Sequence, residues 1–144
     1  MLAAVLAFAW RRPSLLLLVA AADGAAQGIS AVLKSLIDRD RPPLIYPRPE
    51  PLVHTPLTHS FPSGHATASF ACATILARAW PRAAPAFVVL AAAIAFSRVY
   101  VGVHWPLDVI AGAVIGVGIG VALTFLTRRW GREAGGDSAR STAP

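Results

Sequence analysis

The sequence predicts an all-α fold, an integral membrane bundle of helices. Of its 144 residues, 56% are hydrophobic and only 14% are charged, whereas soluble domains carry roughly a quarter charged residues. The apolar residues are gathered into four long runs, which prolines and charged residues separate. A chain of this length and pattern is expected to form one membrane domain.

Each of the four runs is long enough to cross the core of a bilayer, which takes about 20 residues of helix. A proline lies at or beside the start of each run, where a helix tolerates it well. We therefore predict four full transmembrane helices, over residues 14–37, 62–80, 84–103 and 106–127.

The parts of the chain outside these runs differ in character. Residues 1–9, MLAAVLAFA, are too short to cross a bilayer and are expected to be a short helix remnant. The loop 38–60 contains six prolines, which disfavour both a helix and a central strand, so a stiff extended cover is expected. Residues 133–144 are small and polar and are expected to be a disordered tail. The predicted domain is therefore 1–132, with its core at 14–127.

The net charge of +6 does not indicate a nucleic-acid-binding protein, because the arginines flank apolar runs singly or in pairs. Basic residues predominate at one face of the predicted bundle, and the positive-inside bias assigns that face and the C-terminus to the cytoplasm. These residues are Arg11, Arg12, Arg78, Arg82, Arg128, Arg129 and Arg132. The opposite, extracytoplasmic face mixes acidic and basic residues, and three polar clusters are expected there.

The first cluster is KSLIDRDRP, at the outer end of the first predicted helix. Lys34 and Arg41 supply two cations, and Arg39 is a third candidate. Alternatively, these long side chains only reach up to lipid headgroups.

The second cluster is PSGH, residues 62–65, at the start of the second predicted helix. The first turn of a helix has free backbone N–H groups and the positive end of the helix dipole, an arrangement that suits phosphate. Ser63 and Gly64 would form this nest, and His65 can exchange a proton near neutral pH. Alternatively, Ser63 is a simple N-cap and the histidine only follows it.

The third cluster is SRVYVGVHWPLD, residues 97–108, between the third and fourth predicted helices. His104 and Asp108 are four residues apart, so the carboxylate is expected to fold back onto the imidazole. This contact would fix the tautomer and leave the other ring nitrogen free as a nucleophile or base. Arg98 adds a planar fork suited to phosphate oxygens. Alternatively, the histidine and the aspartate are a buried pair that ties two helices together.

In order, the clusters read Lys-x6-Arg-Pro, Pro-Ser-Gly-His and Ser-Arg-x5-His-x3-Asp. This pattern resembles the signature of the type 2 phosphatidic acid phosphatase (PAP2) superfamily, membrane lipid phosphatases whose site is shared with vanadium haloperoxidases. The resemblance covers residues 14–127. It implies hydrolysis of a lipid phosphate or diphosphate at the extracytoplasmic face, through a phosphohistidine and without a cofactor.

The resemblance also implies a role for each residue of the clusters. His104 would attack phosphorus with Asp108 orienting it, and His65 would protonate the leaving oxygen and later help to activate water. The phosphoryl oxygens would be held by Lys34, Arg41, Arg98, Ser63 and the backbone of Gly64. No metal site is expected, because the histidines and carboxylates do not fall at recognised ligand spacings.

Members of the superfamily usually have six membrane helices, with these motifs in the last four. The resemblance therefore implies that this chain lacks most of the first two. The lipid is left open, because phosphatidic acid, phosphatidylglycerophosphate and undecaprenyl diphosphate all present the same phosphate. Two alternatives stay open as well: a headgroup or phosphoryl transferase with the same site, and an inactive lipid-binding membrane fragment.

A polar stripe runs along the first predicted helix. Asp23, Gln27, Ser30 and Lys34 are spaced four, three and four apart, which puts them on one helical face. We expect the stripe to face the bundle interior under the phosphate site. Alternatively, it only makes hydrogen bonds between helices.

A ridge of small residues, Gly112, Gly116 and Gly120, lies on the fourth predicted helix. Glycines at this spacing allow two helix backbones to approach closely. The contact is expected inside the bundle, with the interface of a homodimer as the alternative.

Overall fold

Helices make up most of the chain in the computed structural model, which describes residues 12–46, 48 and 50–140, with side chains up to residue 127. The helices are α1 (Pro13–Ile37), α2 (Pro42–Ile45), α3 (Gly64–Ala79), α4 (Ala84–Tyr100) and α5 (Pro106–Arg140), with a 3-10 turn at Pro81–Ala83. The described residues contain no strand, which confirms the all-α prediction. The predicted N-terminal helix remnant lies outside the described residues.

Within the described part of the chain, three segments are long and apolar enough to cross a membrane: Pro13–Ile45, Pro81–Tyr100 and Pro106–Thr127. The remaining predicted span corresponds to α3, which has only 16 residues. At 1.5 Å per residue, such a helix is about 24 Å long, against about 30 Å for a bilayer core. Because the other long helices surround α3, it does not have to match the apolar thickness of the bilayer by itself.

The central position of α3 follows from its contacts with α1, α4 and α5, of which the one with α5 is the most extensive. A Cβ on Gly112 would lie 2.7 Å from the carbonyl oxygen of Ser63, and one on Gly120 would lie 2.7 Å from Cβ of Thr74. Gly116 approaches the α3 backbone just as closely. The glycine ridge is therefore used inside the bundle, as the sequence favours.

Small side chains dominate the core between α1, α3 and α5. The cluster consists of Ala22, Ala26, Ala71, Ile75 and Ile119. Larger apolar side chains such as Leu17, Val89 and Phe125 are exposed instead. This distribution is typical of membrane helices, which pack through small residues and direct large apolar ones toward lipid.

The loop between α1 and α3 folds over one end of the bundle. Backbone hydrogen bonds hold it there, from Leu52 N to Val101 O (3.1 Å) and from Ser60 N to Arg39 O (2.7 Å). The six prolines predict no helix in this loop, but α2 forms one turn within it. This turn is possible because two prolines occupy its first positions, where no N–H is needed for an intrahelical bond.

The turn between α4 and α5 depends on Gly102, whose φ of 80° lies in the left-handed region that favours glycine. Its N–H donates to the carbonyl of Val99 (2.9 Å), which closes the end of α4. Val103 and His104 follow and are buried, with exposed fractions of 3% and 5%. The turn thus places His104 at the same end of the bundle as the loop between α1 and α3.

The helical backbone of α5 continues through Arg140. It therefore includes residues 133–140 of the tail that the sequence predicts to be disordered, and residues 141–144 lie outside the described part of the chain. The division of the chain into a domain 1–132 and a tail stays a prediction.

Candidate active site

A cavity of about 280 Å³ lies under the loop, where the ends of α1 and α4 meet the start of α3. Six of the eight residues predicted for the site line it: Lys34, Arg41, Gly64, His65, Arg98 and His104. Gln27, Val53, His54, Pro56, Thr58 and Val103 complete the wall. The other two predicted residues, Ser63 and Asp108, are fully buried. The fold thus brings together three clusters that are far apart in the sequence.

His104 is held at both ring nitrogens. Its Nδ1 lies 3.4 Å from Oδ2 of Asp108, and its Nε2 lies 3.3 Å from Nη1 of Arg41. Both contacts fit the tautomer with its proton on Nδ1, in which Nδ1–H donates to the carboxylate and Nε2 accepts from the guanidinium. Burial lowers the pKa of His104, and the hydrogen bond with Asp108 counters that shift only in part. A neutral ring with an electron pair on Nε2 is the expected form near pH 7.

Asp108 is fully buried and surrounded by donors. Besides His104, it accepts from Nη1 of Arg39 (2.8 Å), from the backbone N of Trp105 (2.9 Å) and from the hydroxyl of Ser60. A buried carboxylate needs such partners to stay charged. Arg39 therefore pairs with the carboxylate behind His104, whereas the sequence offered it only as a further phosphate cation. Ser60 was not anticipated, since it lies 48 residues from Asp108 in the chain.

Trp105 supports Arg39 at this position. The guanidinium carbon of Arg39 lies 5.6 Å from the centre of the Trp105 ring, a cation–π arrangement. The indole Nε1 in turn donates to the carbonyl of Asp40 (2.9 Å), which fixes the ring against the loop. These contacts orient Arg39 toward Asp108.

Arg41 is only 3% exposed, so it does not extend to lipid headgroups. Its Nε donates to the carbonyl of Thr58 (2.7 Å), and its Nη1 donates to the carbonyl of Val103 (2.8 Å). Arg41 thereby joins the loop to the turn that carries His104. Its positive charge is fixed beside Nε2 of that histidine.

The other two cations border the cavity from α1 and α4. Nζ of Lys34 donates to the carbonyls of His59 (2.7 Å) and Ser60 (3.3 Å) and so also holds the loop. Nε of Arg98 donates to the hydroxyl of Ser97 (3.1 Å). No partner for the two Nη atoms of Arg98 is found within the described residues. Arg98 is thus the cation with the most donors left for a ligand.

The start of α3 forms the floor of the cavity. Ser63 is the N-cap residue, but its hydroxyl makes no capping bond and has no hydrogen-bond partner among the described side chains and backbone. Its backbone N donates instead to the carbonyl of Asp108 (3.0 Å), which joins the starts of α3 and α5. Because Gly64 and His65 line the cavity, the free N–H groups of the first turn are close to it.

The predicted polar stripe on α1 divides in the structure. The buried residues of α1 are Ala22, Ala26 and Ser30. Asp23 and Gln27 each follow an alanine of this face by one residue, about 100° around the helix, and both are exposed. Gln27 nevertheless lines the cavity. The prediction that Asp23 faces the bundle interior is wrong, because the alanine before it takes the inward position.

The site as a whole combines an imidazole with a partner at each ring nitrogen, two further imidazoles, three cations and a helix N-terminus around one small cavity. Such a set can bind a tetrahedral anion and offers it both a nucleophile and a proton donor. Within the part of the chain that the structure describes, no three His, Cys, Asp or Glu side chains are grouped so that they could hold a metal ion.

The fold and the site together describe a helical membrane protein with an anion-binding cavity. Comparison with known proteins identifies the family to which it belongs. The sequence matches the PAP2 superfamily over residues 14–132, and the chain belongs to this superfamily. Its three apolar segments and its structural neighbours make it a membrane protein.

The proteins similar to the chain include two solved structures and one curated relative. LpxE of Aquifex aeolicus has a TM-score of 0.73 at 29% identity, over 85% of this chain and 75% of that one. The transmembrane PAP2-type phosphatidylglycerolphosphate phosphatase of Bacillus subtilis has a TM-score of 0.62 at 29% identity, over 78% and 59%. The decaprenylphosphoryl-5-phosphoribose phosphatase of Mycobacterium tuberculosis is 40% identical over 95 residues, 66% of this chain and 51% of its own length. The chain thus spans about half the length of this relative.

Proposed function

We propose that the chain is a membrane phosphatase that hydrolyses a lipid phosphate or lipid diphosphate through a phosphohistidine on His104. The observation that carries this proposal is the geometry of His104, whose Nδ1 is tied to Asp108 while Nε2 lies beside a cation in the cavity. The names of the relatives support the same class of substrate, since one is a phosphatidylglycerolphosphate phosphatase and another a decaprenylphosphoryl-5-phosphoribose phosphatase.

In the first step, Nε2 of His104 gives up its hydrogen bond with Arg41, its electron pair attacks phosphorus, and the bond from phosphorus to the lipid oxygen breaks. His65 lines the same cavity; in its protonated form, which the negative charge of the bound phosphate favours, it gives its proton to the leaving oxygen. The imidazolium that forms at His104 is stabilised by the carboxylate of Asp108. The products of this step are a free lipid alcohol, or a lipid monophosphate from a diphosphate, and a phosphohistidine.

In the second step, water attacks the phosphohistidine and the nitrogen–phosphorus bond breaks. His65 is now neutral and takes a proton from the water, which restores both histidines and releases inorganic phosphate. Through both steps the equatorial oxygens carry negative charge, which Arg41, Lys34 and Arg98 stabilise together with the first-turn N–H groups of α3.

These cations supply the charge that a metal ion provides in many phosphoryl-transfer sites. We therefore expect activity to persist in the presence of EDTA. Complete loss in EDTA, with recovery on addition of a divalent ion, would contradict a metal-independent mechanism.

Phosphate release in detergent micelles tests the proposal. We expect the wild type to release phosphate from phosphatidic acid, phosphatidylglycerophosphate or undecaprenyl diphosphate, and His104→Ala to remain at background. Arg48→Gln is the control, because Arg48 is an exposed arginine of the same loop and does not line the cavity. Equal release by wild type and His104→Ala, or none by either while both are folded, would contradict the proposal.

We further propose that the cavity opens to the extracytoplasmic side, on the basis of the distribution of arginines. In a chain whose Cys72 is replaced by alanine, a cysteine at Thr55 should react with an impermeant thiol reagent in intact cells. A cysteine at Arg82, at the other end of the bundle, should react only after lysis. The opposite labelling pattern would reverse the orientation.

A further inference from the structure

The positive charges of the cavity are gathered at one end. This outer end of the cavity lies where α1 and α4 finish, and it holds Lys34, Arg41 and Arg98. Gln27 lines the same cavity seven residues earlier in α1, about 10 Å nearer the middle of the bundle. The outer end therefore suits the phosphate, and the inner end is occupied by a neutral amide.

Gln27 is close to the reacting end of the cavity. A Cβ on Gly64, the residue before His65, would lie 3.6 Å from Oε1 of Gln27 and 3.9 Å from Cβ of Ser30. The Gln27 amide therefore lies beside the backbone one residue before His65, and both side chains line the same cavity. A group of the substrate that follows the leaving oxygen would reach Gln27.

Polar groups around Gly64 have unused hydrogen-bonding capacity. The hydroxyls of Ser30 and Ser63 are buried without a partner in the described part of the chain. The hydrogen bonds of the described residues likewise include none to the side-chain amide of Gln27. A bound polar partner would stabilise the two buried hydroxyls. The Gln27 side chain is exposed in the wall, so its amide can hold an oxygen of the substrate.

The surroundings of Gln27 disfavour a second anion. Asp23 lies one turn earlier on the same side of α1 and would repel a second phosphate that extended inward. Cations are found only at the outer end of the wall. An uncharged group suits this end of the cavity, because its hydroxyl or ester oxygens can accept from the amide N–H groups of Gln27 and it carries no negative charge for Asp23 to repel.

We propose that Gln27 forms a neutral subsite that binds the uncharged, oxygen-bearing unit next to the phosphate ester. The substrate is accordingly a lipid whose phosphate is carried by a glycerol- or sugar-like unit, in preference to one in which a bare prenyl chain follows the phosphate. This inference rests on the proposed function, since it uses the same cavity and the same leaving oxygen.

Turnover of two substrates tests the subsite. Dioctanoyl phosphatidic acid has ester oxygens next to its phosphate ester, whereas farnesyl phosphate has only hydrocarbon there. Gln27→Leu should raise KM for phosphatidic acid about tenfold, as expected for one lost hydrogen bond of about 1.4 kcal/mol, and should leave farnesyl phosphate unchanged. Gly28→Ala is the matched control, since a Cβ at Gly28 meets nothing within 4 Å; it should change neither substrate. Equal effects of Gln27→Leu on both substrates, or no effect on either, would overturn the subsite.

Binding of non-hydrolysable phosphonates separates the subsite from the proposed function. A dioctanoylglycerol phosphonate should bind Gln27→Leu about tenfold more weakly than the wild type, whereas farnesyl phosphonate should bind both equally. If the wild type releases no phosphate but shows this difference, the proposed function fails and the subsite stands. If turnover occurs but both phosphonates respond alike or fail to bind, the subsite fails and the proposed function stands.

Discussion

Of the three histidines that line the cavity, the two to which we assign chemistry, His104 and His65, differ in how firmly they are held. His104 is 5% exposed and has a partner at each ring nitrogen. His65 is exposed in the first turn of α3, and its ring makes no hydrogen bond to other described residues. The difference matches the chemistry that we propose, because a nucleophile must be fixed in line with phosphorus, whereas a proton donor must follow an oxygen that moves away.

The largest expected effect is the loss of the fixed histidine. His104→Ala should lower kcat for lipid substrates by about 10⁴-fold or more, since the other histidines of the wall, His54 and His65, have no carboxylate partner among the described residues to orient them for attack. The loss should persist when the lipid alcohol is replaced by a good leaving group such as p-nitrophenol. Size-exclusion profiles and thermal unfolding in detergent serve to check that the variant folds.

A smaller and substrate-dependent effect is expected at His65, the exposed histidine. His65→Ala should lower kcat for lipid substrates by about 10²- to 10⁴-fold, the usual contribution of a general acid. In the first step with p-nitrophenyl phosphate the loss should nearly vanish, because p-nitrophenolate leaves without a proton. A burst of p-nitrophenol in rapid-mixing measurements reports this step. Equal losses with both leaving groups would mean that His65 is not the acid.

The contacts that hold Asp108 behind His104 can be weakened without removing any of the cations that line the cavity. Arg39→Gln removes one donor from Asp108 and should lower kcat by about 10- to 100-fold with little change in KM, as for a lost hydrogen bond to a charged group. Arg39→Lys should restore part of the activity, because only one guanidinium nitrogen contacts the carboxylate. A change in KM alone would instead indicate that Arg39 binds substrate directly.

The smallest expected effect is a shift in the pH dependence of kcat/KM. Protonation of Nε2 would remove the attacking electron pair, so kcat/KM should fall as the pH drops through the pKa of His104. Burial lowers that pKa, so the acidic limb should lie below about pH 6.5, the ordinary value for histidine. A pH profile of Asp108→Asn should move the limb lower still, since Asp108 raises the pKa of this histidine. A limb above pH 6.5 in the wild type would contradict the burial of a neutral nucleophile.

The contrast between the histidines also shows what the sequence could predict. The four-residue spacing of His104 and Asp108, with a proline between, was sufficient to predict their contact. Arg39 was not assigned to Asp108, because 69 residues separate them and only the path of the loop brings them together. The polar stripe on α1 was predicted from its spacing, but a spacing does not fix which face of a helix turns inward. Here alanines take that face, and Asp23 is left outside.

The ends of the helices were also only partly predictable from the sequence. Both ends of α1 and the start of α4 followed from apolar runs and prolines, whereas α4 ends at Tyr100, three residues before its predicted end, because the turn through Gly102 begins there. The 16-residue length of α3 depends on enclosure by the other helices, which no local pattern reveals. The single turn of α2 within a proline-rich loop likewise depends on prolines at its first two positions, where their missing N–H groups do no harm.

The most direct measurement is to trap the phosphorylated protein. In His65→Ala, a radiolabelled aryl phosphate should still phosphorylate the protein, because its leaving group needs no acid, whereas attack of water should be slow. We expect label that is stable in base and lost in acid, as for a phosphoramidate, and peptide mapping should assign it to His104. Label on another residue, or rapid release of phosphate with no labelled protein at any time, would contradict the phosphohistidine mechanism.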